Sequence, residues 1–563
     1  MSDGSSGPAV EQGIEAHRTG DFATAERVYT AVLERQPDHA PALNAFGILR
    51  LQQGRVEEAC TLFRQAIRTA PREAKHHSNL GNALMALGTA EPAVEAFAQA
   101  VELAPLNVEF QANLATAEMA AGWSERAVED FARALALRPD HLRSLTNLGA
   151  LLSKLNRLDE ALGYLEQAAA QPEPGAEALL NLASVCERLN RTEAAAQALD
   201  RLSPDEAPYA AVLRARLLRR AGEPARALEV LDAGRPGLQA NGSAEQLGDW
   251  QHEAGRCADL ASDAGRAFAA FLEAKRHWRR ADGGRDGAAY LERVRRLRAE
   301  PAREVIGDAP AVQDGVSLTF FVGFPRSGTT LMELMLGVHP AVLTTAEAEV
   351  LRGVIDYAGA MPADARIDAI RRTEARRRYL SALAQWVGPA GPGTTVIDKL
   401  PLNIVHCRLI DALLPDARLL VALRDPRDVV LSCLMQRFAR NDAMRNFDSL
   451  EETVALYEQV MGLWLEARGT LHLPVLEYRY EELAAEPEPV LRRILDFLGL
   501  DWHDGLLDVA ARGRGRAVTT PSYQAVSEPV GERAVGRWRG YAEALAPVSA
   551  RLAPFVEAFG YEP

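Results

Sequence analysis

The first 200 residues repeat one pattern with a period of 34 residues, as in the step from Gly20 to Gly54. Four position classes keep this step: a turn residue, an alanine, a bulky apolar residue and a proline. Such a chain is expected to stack one small unit many times, since each unit alone cannot bury its apolar face. The four classes are Gly20, Gly54, Gly88, Gly122, Asn156 and Asn190; Ala25, Ala59, Ala93, Ala127, Ala161 and Ala195; Tyr29, Phe63, Phe97, Phe131, Leu165 and Leu199; and Pro37, Pro71, Pro105 and Pro139.

Each class has a local physical reason. Glycine or asparagine tolerates the left-handed turn between two helices. Alanine lets the two helices approach, the bulky residue fills the gap one turn later, and proline ends the second helix. The period and the pattern are typical of the tetratricopeptide repeat (TPR), an all-α solenoid. We assign the repeat domain to residues 8–235 and expect its concave face to bind a protein or peptide.

The repeat loses its phase after Asn190. Gly222 and Ala227 each come two residues early, although helical patterns continue. We interpret residues 236–305 as a degenerate helical repeat and linker, because terminal units of a solenoid are atypical.

The pattern changes from Val316 onward. Short apolar runs alternate with helical periods, which favours a parallel sheet covered by helices over residues 316–560. The predicted strands are 318–322, 394–397, 418–423 and 475–480. Charged motifs follow the first three runs, and ligands bind such sheets beyond the carboxyl ends of the strands. The fold class predicted is therefore multidomain: a TPR solenoid followed by an α/β P-loop-like domain.

A glycine-rich loop follows the first predicted strand. Gly323 and Gly328 have the spacing of a phosphate-binding P-loop, and a helical pattern begins after them. However, Thr329 stands where a P-loop has its lysine, and Arg326 lies inside the loop. The missing lysine argues against a kinase or NTPase. The loop is still expected to bind an anion, because free backbone N–H groups lie next to a helix N-terminus. An ordinary strand-turn-helix connection is the alternative.

The segment Pro-Arg-Ser-Gly-Thr-Thr-Leu (325–331) resembles the 5′-phosphosulfate loop of sulfotransferases, which use 3′-phosphoadenosine 5′-phosphosulfate (PAPS) as co-substrate. Its arginine form looks most like the tyrosylprotein sulfotransferases. The resemblance covers about 245 of the 563 residues. It implies that the loop holds the phosphosulfate through Arg326, Ser327, Gly328, Thr329 and Thr330.

Other segments extend the resemblance. Arg424, with Ser432 eight residues later, resembles the 3′-phosphate segment, where an arginine meets the phosphate with two parallel donors. Tyr480 resembles an adenosine-pocket residue, with a buried strand aromatic as the alternative. Residues 520–539 resemble a closing loop with Ser522, Arg537 and Trp538 as candidates. Glu528 replaces the lysine of the tyrosylprotein enzymes, which puts a cofactor contact at that position in doubt.

The resemblance also implies three catalytic residues. Glu347 has the spacing of the catalytic glutamate, which takes the proton of the acceptor hydroxyl; Glu349 is a rival, and a surface helix is the alternative. Lys399 resembles the second catalytic cation, with a solvated lysine as the alternative. Arg326 and Lys399 would neutralise charge on the sulfonate and the leaving phosphate. No metal is expected.

Composition excludes several classes. The net charge of −14 argues against nucleic-acid binding. The five cysteines lack paired spacing, so we expect neither a disulfide framework nor a zinc site. No signal peptide or membrane-spanning apolar run is visible, and we expect a cytoplasmic protein.

The sequence therefore predicts a PAPS-dependent sulfotransferase that acts on a hydroxyl acceptor and carries a TPR arm for protein binding. Protein tyrosine, a saccharide, a lipid and a small metabolite all stay open as acceptors. The alternative is a TPR scaffold whose C-terminal domain binds a nucleotide without catalysis.

Overall fold

The computed structural model describes residues 6–202, 207–308, 314–362, 364–507 and 534–562. Its contacts divide the chain into two compact units, Met1–Leu213 and Arg214–Pro563. The repeat pattern puts a boundary at residue 235, whereas contacts put it between residues 213 and 214. The domain limits read from the sequence stay a prediction, since pattern and contact are different criteria.

The first unit consists of helices that follow one another in antiparallel pairs. The helices are α1 Ser6–Arg18, α2 Phe22–Arg35, α3 Ala40–Gln52, α4 Val56–Thr69, α5 Ala74–Ala86, α6 Ala90–Leu103, α7 Val108–Ala120, α8 Ser124–Leu137, α9 Leu142–Lys154, α10 Leu158–Ala169, α11 Gly175–Arg188 and α12 Thr192–Asp200. This confirms the predicted TPR solenoid.

Close approach within each pair depends on a small residue facing a large one. Phe63 and Phe97 are almost completely buried. A Cβ atom at Gly47 would lie 2.6 Å from the Phe63 ring, and one at Gly81 would lie 2.7 Å from the Phe97 ring. The turn glycine of each pair, such as Gly88 with φ +75°, lies in open space and supplies only the left-handed backbone.

The second unit begins with further helices, of which α13 spans the division between the units. A Cβ atom at Gly255 would lie 2.9 Å from the Phe271 ring. This close approach of a glycine to a large ring is the same contact that Gly47 makes with Phe63 in the first unit. Ser262, with φ 62°, takes the left-handed turn that glycine takes in the arm. One pair in this region, α15 with α16, therefore keeps the close helix contact of a repeat, and the interpretation of residues 236–305 as a degenerate repeat and linker stays a prediction. The helices are α13 Ala210–Arg220, α14 Pro224–Asn241, α15 Ala244–Leu260, α16 Ala264–Ala281 and α17 Ala288–Ala299.

A parallel sheet follows, with the order β2-β3-β1-β4-β5 over the described residues. Its strands are β1 Ser317–Gly323, β2 Val342–Thr344, β3 Thr395–Lys399, β4 Arg418–Leu423 and β5 Val475–Arg479. The four predicted strands are confirmed to within two residues. The edge strand β2 was missed because three residues carry no recognisable pattern.

Helices cover the sheet. The central strands β1, β3 and β4 are buried almost throughout, as expected where helices lie on both faces. The helices are α18 Thr329–Leu336, α19 Arg352–Gly359, α20 Ala369–Trp386, α21 Cys407–Leu413, α22 Pro426–Leu434, α23 Leu450–Ala467, α24 Tyr480–Ala485, α25 Pro487–Leu498 and α26 Ala542–Ala558, with 3-10 helices at Pro401–His406, Met444–Phe447, Asp504–Leu507 and Arg537–Tyr541.

Candidate active site

The three central strands bring their carboxyl ends to one edge of the sheet. Phe321 of β1 is in register with Lys399 of β3, and Gly323 of β1 is in register with Ala422 of β4. The glycine-rich loop after β1 therefore lies between the segments that follow β3 and β4. The predicted convergence of the three charged motifs is confirmed.

The loop is shaped by two left-handed residues. Arg326 has φ 72° and Gly328 has φ 95°. A Cβ at Gly328 would lie 2.3 Å from Cδ2 of Tyr480, so the position accepts only glycine without a shift of that ring. Ser327 is buried and its hydroxyl donates to the carbonyl of Phe324 at 2.7 Å, which closes the loop on itself.

Helix α18 begins directly after this turn. Gly328 is its N-cap and has no side chain to accept from the first N–H groups. Since the first four N–H groups of an α-helix have no acceptor within the helix, those around Thr329 and Thr330 are available to an anion. Both threonines are buried, in the position predicted for them.

Arg326, Ser432 and Arg424 meet on the β4 side of the loop. Arg326 Nε donates to Ser432 Oγ at 3.1 Å, and Arg424 Nη1 donates to the Arg326 carbonyl at 3.0 Å. Burial and, to a smaller degree, the neighbouring Arg424 lower the pKa of the Arg326 guanidinium. Arg424 is 7% exposed, and its Nε has no hydrogen-bond partner within the described part of the chain. One buried and one half-buried guanidinium, together with a hydroxyl, thus form a site suited to an anion.

Tyr480 completes this cluster from a different element than predicted. It is the first residue of α24, not a strand residue, so the alternative of a strand aromatic is wrong. The Arg424 guanidinium lies 4.8 Å from the centre of its ring. The ring therefore contacts both the loop and the arginine, and Tyr478 is the buried strand aromatic instead.

The helix that carries Ser432 is held at its C-terminal end by α15 and α16. Lys275 Nζ donates to the carbonyl of Gln436 at 2.7 Å, and His252 Nε2 lies 3.0 Å from the carbonyl of Met435. Burial lowers the pKa of Lys275 to about 8 and that of His252 to about 3. The sequence did not connect this helix pair with the site, because the contacts join residues far apart in the chain.

A returning segment closes the β4 side. Asp428 of α22 accepts from the backbone N–H groups of Gly536 at 2.7 Å and Trp538 at 2.8 Å. The Trp538 ring lies 3.7 Å from the Arg427 guanidinium, and Arg537 pairs with Asp259. Trp538 therefore reaches α22, whereas Arg537 binds α15. Ser522 and Glu528 lie outside the described residues.

Glu347 lies on the β3 side, in a turn and not on a helix as the alanine-rich neighbours suggested. Ala346 has φ 48° and Glu347 has φ 70°. The Glu347 N–H donates to the Lys399 carbonyl at 3.1 Å, and its carboxylate lies 2.5 Å from Lys399 Nζ. The side chain is 35% exposed. Glu349 is exposed and outside this ion pair.

Lys399 is buried between two carboxylates, only one of which was predicted. Its Nζ lies 3.0 Å from Glu333 Oε2 and 2.5 Å from Glu347 Oε1, and the side chain is 1% exposed. The alternative of a solvated lysine is therefore wrong. Reasoning from the sequence missed Glu333, whose only signal was a charge on an otherwise apolar helix that begins at the loop.

Asp398 is a second buried carboxyl at the end of β3. Tyr379 donates to its Oδ2 at 2.9 Å, and Oδ1 has no partner in the described ranges. Burial raises the pKa of Asp398 from 3.8 to about 7. Below that pH the carboxyl is mostly neutral, which limits the negative charge around Glu333 and Glu347.

Comparison with known families finds a match in each of two parts of the chain. Residues 319–504 match the model described as "Sulfotransferase family". Residues 10–211 match the tetratricopeptide repeat model in five overlapping windows. The chain therefore carries one range that matches tetratricopeptide repeats and another that matches the sulfotransferase family. The loop, the Arg424 segment and the Glu347 turn lie inside the second range.

Curated relatives include the protein-tyrosine sulfotransferases. That of Drosophila melanogaster is 28% identical over 268 residues, which are 44% of this chain and 52% of that protein. Protein-tyrosine sulfotransferase 2 of Gallus gallus is 28% identical over 291 residues, 48% of this chain and 77% of that protein. An uncharacterised protein of Aquifex aeolicus (strain VF5) is 28% identical over 245 residues, 41% of this chain and 31% of its own length. The chain spans less than two thirds of the Drosophila and Aquifex proteins.

Among solved structures, that of PilW, a type IV pilus biogenesis factor, has 20% sequence identity and a TM-score of 0.34. It covers 36% of this chain and 93% of its own. A likeness at this level carries no functional argument. In the part of the chain that the structure describes, no helix is both long and apolar enough to cross a membrane.

Proposed function

We propose that the protein is a PAPS-dependent sulfotransferase that transfers a sulfuryl group to a hydroxyl acceptor. The observation that carries this proposal is the arrangement of the sheet edge. An anion site of Arg326, Arg424, Ser432 and the α18 N-terminus lies on one side of the loop. The pair formed by Glu347 and Lys399 lies on the other.

The anion site fits a ligand with two separate anionic groups. The loop N–H groups would donate to the 5′-phosphosulfate, and Arg424 with Ser432 would donate to the 3′-phosphate. Two observations support this assignment of the anion site: Arg424 Nε has no partner among the described residues, and two guanidiniums lie close together. A bound anion would accept a hydrogen bond from that Nε and offset the repulsion between the two positive charges. PAPS supplies the sulfuryl group when bound.

The catalytic side then has a division of roles. Glu347, partly exposed beside Lys399, takes the proton of the acceptor hydroxyl. Lys399 and Arg326 stabilise the negative charge that develops at the reacting end of the co-substrate. The names of the relatives support a tyrosine side chain of a protein as the acceptor, and the concave face of the repeats would bind the polypeptide around it. Sulfation of a tyrosine-containing protein at lower concentration than of a free phenol would support this role.

The anion site is tested by thermal stability with 3′,5′-adenosine bisphosphate, ADP, ATP and GTP. We expect the bisphosphate alone to raise the melting temperature, because a ligand that binds the native state stabilises it. Arg424→Ala should lose most of this stabilisation. Arg352→Ala, a surface arginine that pairs with Asp356, is the matched control and should keep it.

Equal stabilisation by ADP would contradict the assignment of the 3′-phosphate site. Incubation of the chain with labelled PAPS and a host lysate then tests transfer. Bisphosphate binding without any labelled product would support the scaffold alternative instead.

A further inference from the structure

Glu333 connects three parts of the site. It belongs to α18, one turn beyond the glycine-rich loop, and is 7% exposed. Its Oε2 lies 3.0 Å from Lys399 Nζ, and its Oε1 accepts from the Ala346 N–H at 3.1 Å. One carboxylate thus joins the loop helix, the end of β3 and the turn that carries Glu347. A buried carboxylate is costly unless it is paired in this way.

The turn that Glu333 holds is strained. Ala346 and Glu347 are consecutive non-glycine residues with positive φ, 48° and 70°. Such backbone costs free energy and persists only where surrounding contacts fix it. The contacts here are the bond from Ala346 to Glu333 and the bond from the Glu347 N–H to the Lys399 carbonyl.

The charges of the cluster give Glu333 a second role. Lys399 contributes one positive charge, and Glu333 and Glu347 contribute one negative charge each. When Glu347 gains the acceptor proton, Lys399 keeps Glu333 as its partner and the cluster becomes neutral. Without Glu333, the same proton transfer would leave a buried ammonium that is 1% exposed and has lost its remaining carboxylate.

We propose that Glu333 is a positioning residue for the reaction: it holds the Lys399 ammonium and the Ala346–Glu347 turn, so that Glu347 can take a proton. The proposal rests on the proposed function, since Glu347 is its base. Glu333 acts through these two residues and does not itself touch the acceptor.

Other titratable groups surround the cluster. Asp398 and Tyr379 lie behind it, and their mutual hydrogen bond keeps them paired with each other. Burial raises the pKa of Glu333 above its ordinary value, Lys399 opposes that rise, and the neighbouring Glu347 adds to it. A change at Glu333 alters the charge around both Lys399 and Glu347.

The test is Glu333→Gln in the full chain, which keeps the size of the side chain and removes its charge. We expect kcat to fall roughly tenfold to a hundredfold, the range that a hydrogen bond to a charged group provides. The KM for PAPS and the stabilisation by 3′,5′-adenosine bisphosphate should be unchanged. Both limbs of the pH profile of kcat should move to lower pH, because a negative charge is lost beside the ammonium and the base. Glu488→Gln, which removes a surface pair with Arg492, is the control and should match the wild type.

A second readout does not depend on activity. The chain has four lysines: Lys75, Lys154, Lys275 and Lys399. Selective ¹³C labelling of lysine Cε therefore gives a simple NMR spectrum, in which a Lys399→Met variant assigns one signal. Glu333→Gln should displace the Lys399 signal of the unliganded protein and leave the other three in place.

The proposal is overturned if Glu333→Gln keeps the wild-type kcat and pH profile, or if the Lys399 signal does not move. A uniform loss of melting temperature and of bisphosphate binding would show a merely structural role and also overturn it. If the wild type itself transfers nothing from PAPS, the proposed function fails, and the NMR result still reports on the contact between Glu333 and Lys399.

Discussion

The first unit and the sheet edge of the second unit bury different kinds of group. The repeats bury mainly alanines and large apolar residues, such as Phe97 against Gly81, with only a few charged groups such as Glu118. The edge buries charges, including Glu333, Lys399 and Arg424. Apolar packing is non-directional and is repeated from unit to unit, whereas a buried charge needs one particular partner.

The difference predicts how each region responds to change. A substitution in the arm should act locally and through stability. A substitution at the edge should act on binding or turnover, because each charged group has a separate partner and role.

The largest effect is expected at Glu347. Glu347→Gln keeps the shape of the side chain and removes its capacity to accept a proton, so turnover should fall by about a hundredfold or more. Stabilisation by 3′,5′-adenosine bisphosphate should be nearly unchanged. The measurements are single-turnover kinetics with labelled PAPS and a thermal shift with the bisphosphate.

Glu349→Gln is the matched control, because its exposed side chain lies two residues away and outside the ion pair. Its effect should be mild. A dead Glu349 variant together with an active Glu347 variant would show that the base is misassigned, while the anion site would stand.

Two left-handed glycines give a direct comparison between the regions. Gly88→Ala, in the arm, places its Cβ in open space and should cost only about 1 kcal/mol of stability. Gly328→Ala adds a contact of 2.3 Å with Tyr480 to the same strain. We expect affinity for 3′,5′-adenosine bisphosphate to fall tenfold or more, since small displacements of a binding loop are costly. Calorimetric titration of both variants with 3′,5′-adenosine bisphosphate measures this affinity. Equal affinities of the Gly88→Ala and Gly328→Ala variants would show that the loop does not depend on Gly328 for binding.

The smallest effect concerns two buried carboxyls, Asp398 at the edge and Glu118 in the arm. Burial raises the pKa of Asp398 to about 7, and burial also raises that of Glu118. Between pH 4 and 7 the native state keeps a proton at Asp398 that the unfolded chain releases. The free energy of unfolding therefore falls as pH rises through this window.

Asp398→Asn removes this titration. The melting temperature of the variant relative to wild type should rise by a few degrees between pH 4 and 7. The melting temperature of Glu118→Gln relative to wild type should also rise with pH over this range. Differential scanning calorimetry across this range measures both, and a pH-independent difference at Asp398 would mean that the carboxyl is ionised in the native protein.

The sequence was sufficient where spacing along the chain determines structure. The repeat helices follow from a step of 34 residues, and the loop follows from Gly323, Arg326 and Gly328 beside an apolar run. Strands β1, β3, β4 and β5 were recognised for the same reason. The placement of the loop, Lys399 and Arg424 at one edge followed from the rule that parallel strands end together. Glu347 was assigned only through the family resemblance, because the strand before it was not recognised.

The rest depends on contacts that are distant in sequence. Glu333 belongs to the site only because α18 turns it towards Lys399, 66 residues later as their numbers show. The turn at Ala346 and Glu347 opposes the local propensity of its alanine-rich neighbours, and long-range hydrogen bonds impose it. Tyr480 was placed on a strand because helix starts after short strands have little signal of their own.

The pair α15–α16 has a practical consequence for anyone who exchanges the arm of this protein for another. This pair has the internal spacing of a repeat, yet Lys275 and His252 hold the carbonyls beyond the helix that carries Ser432. A fragment that starts at residue 316 would leave those carbonyls without their donors, which is unfavourable for buried polar groups. A cut ahead of residue 244 keeps them. The last repeat-like pair contacts the segment after the helix that carries Ser432, so the arm can be exchanged only up to the helix before that pair.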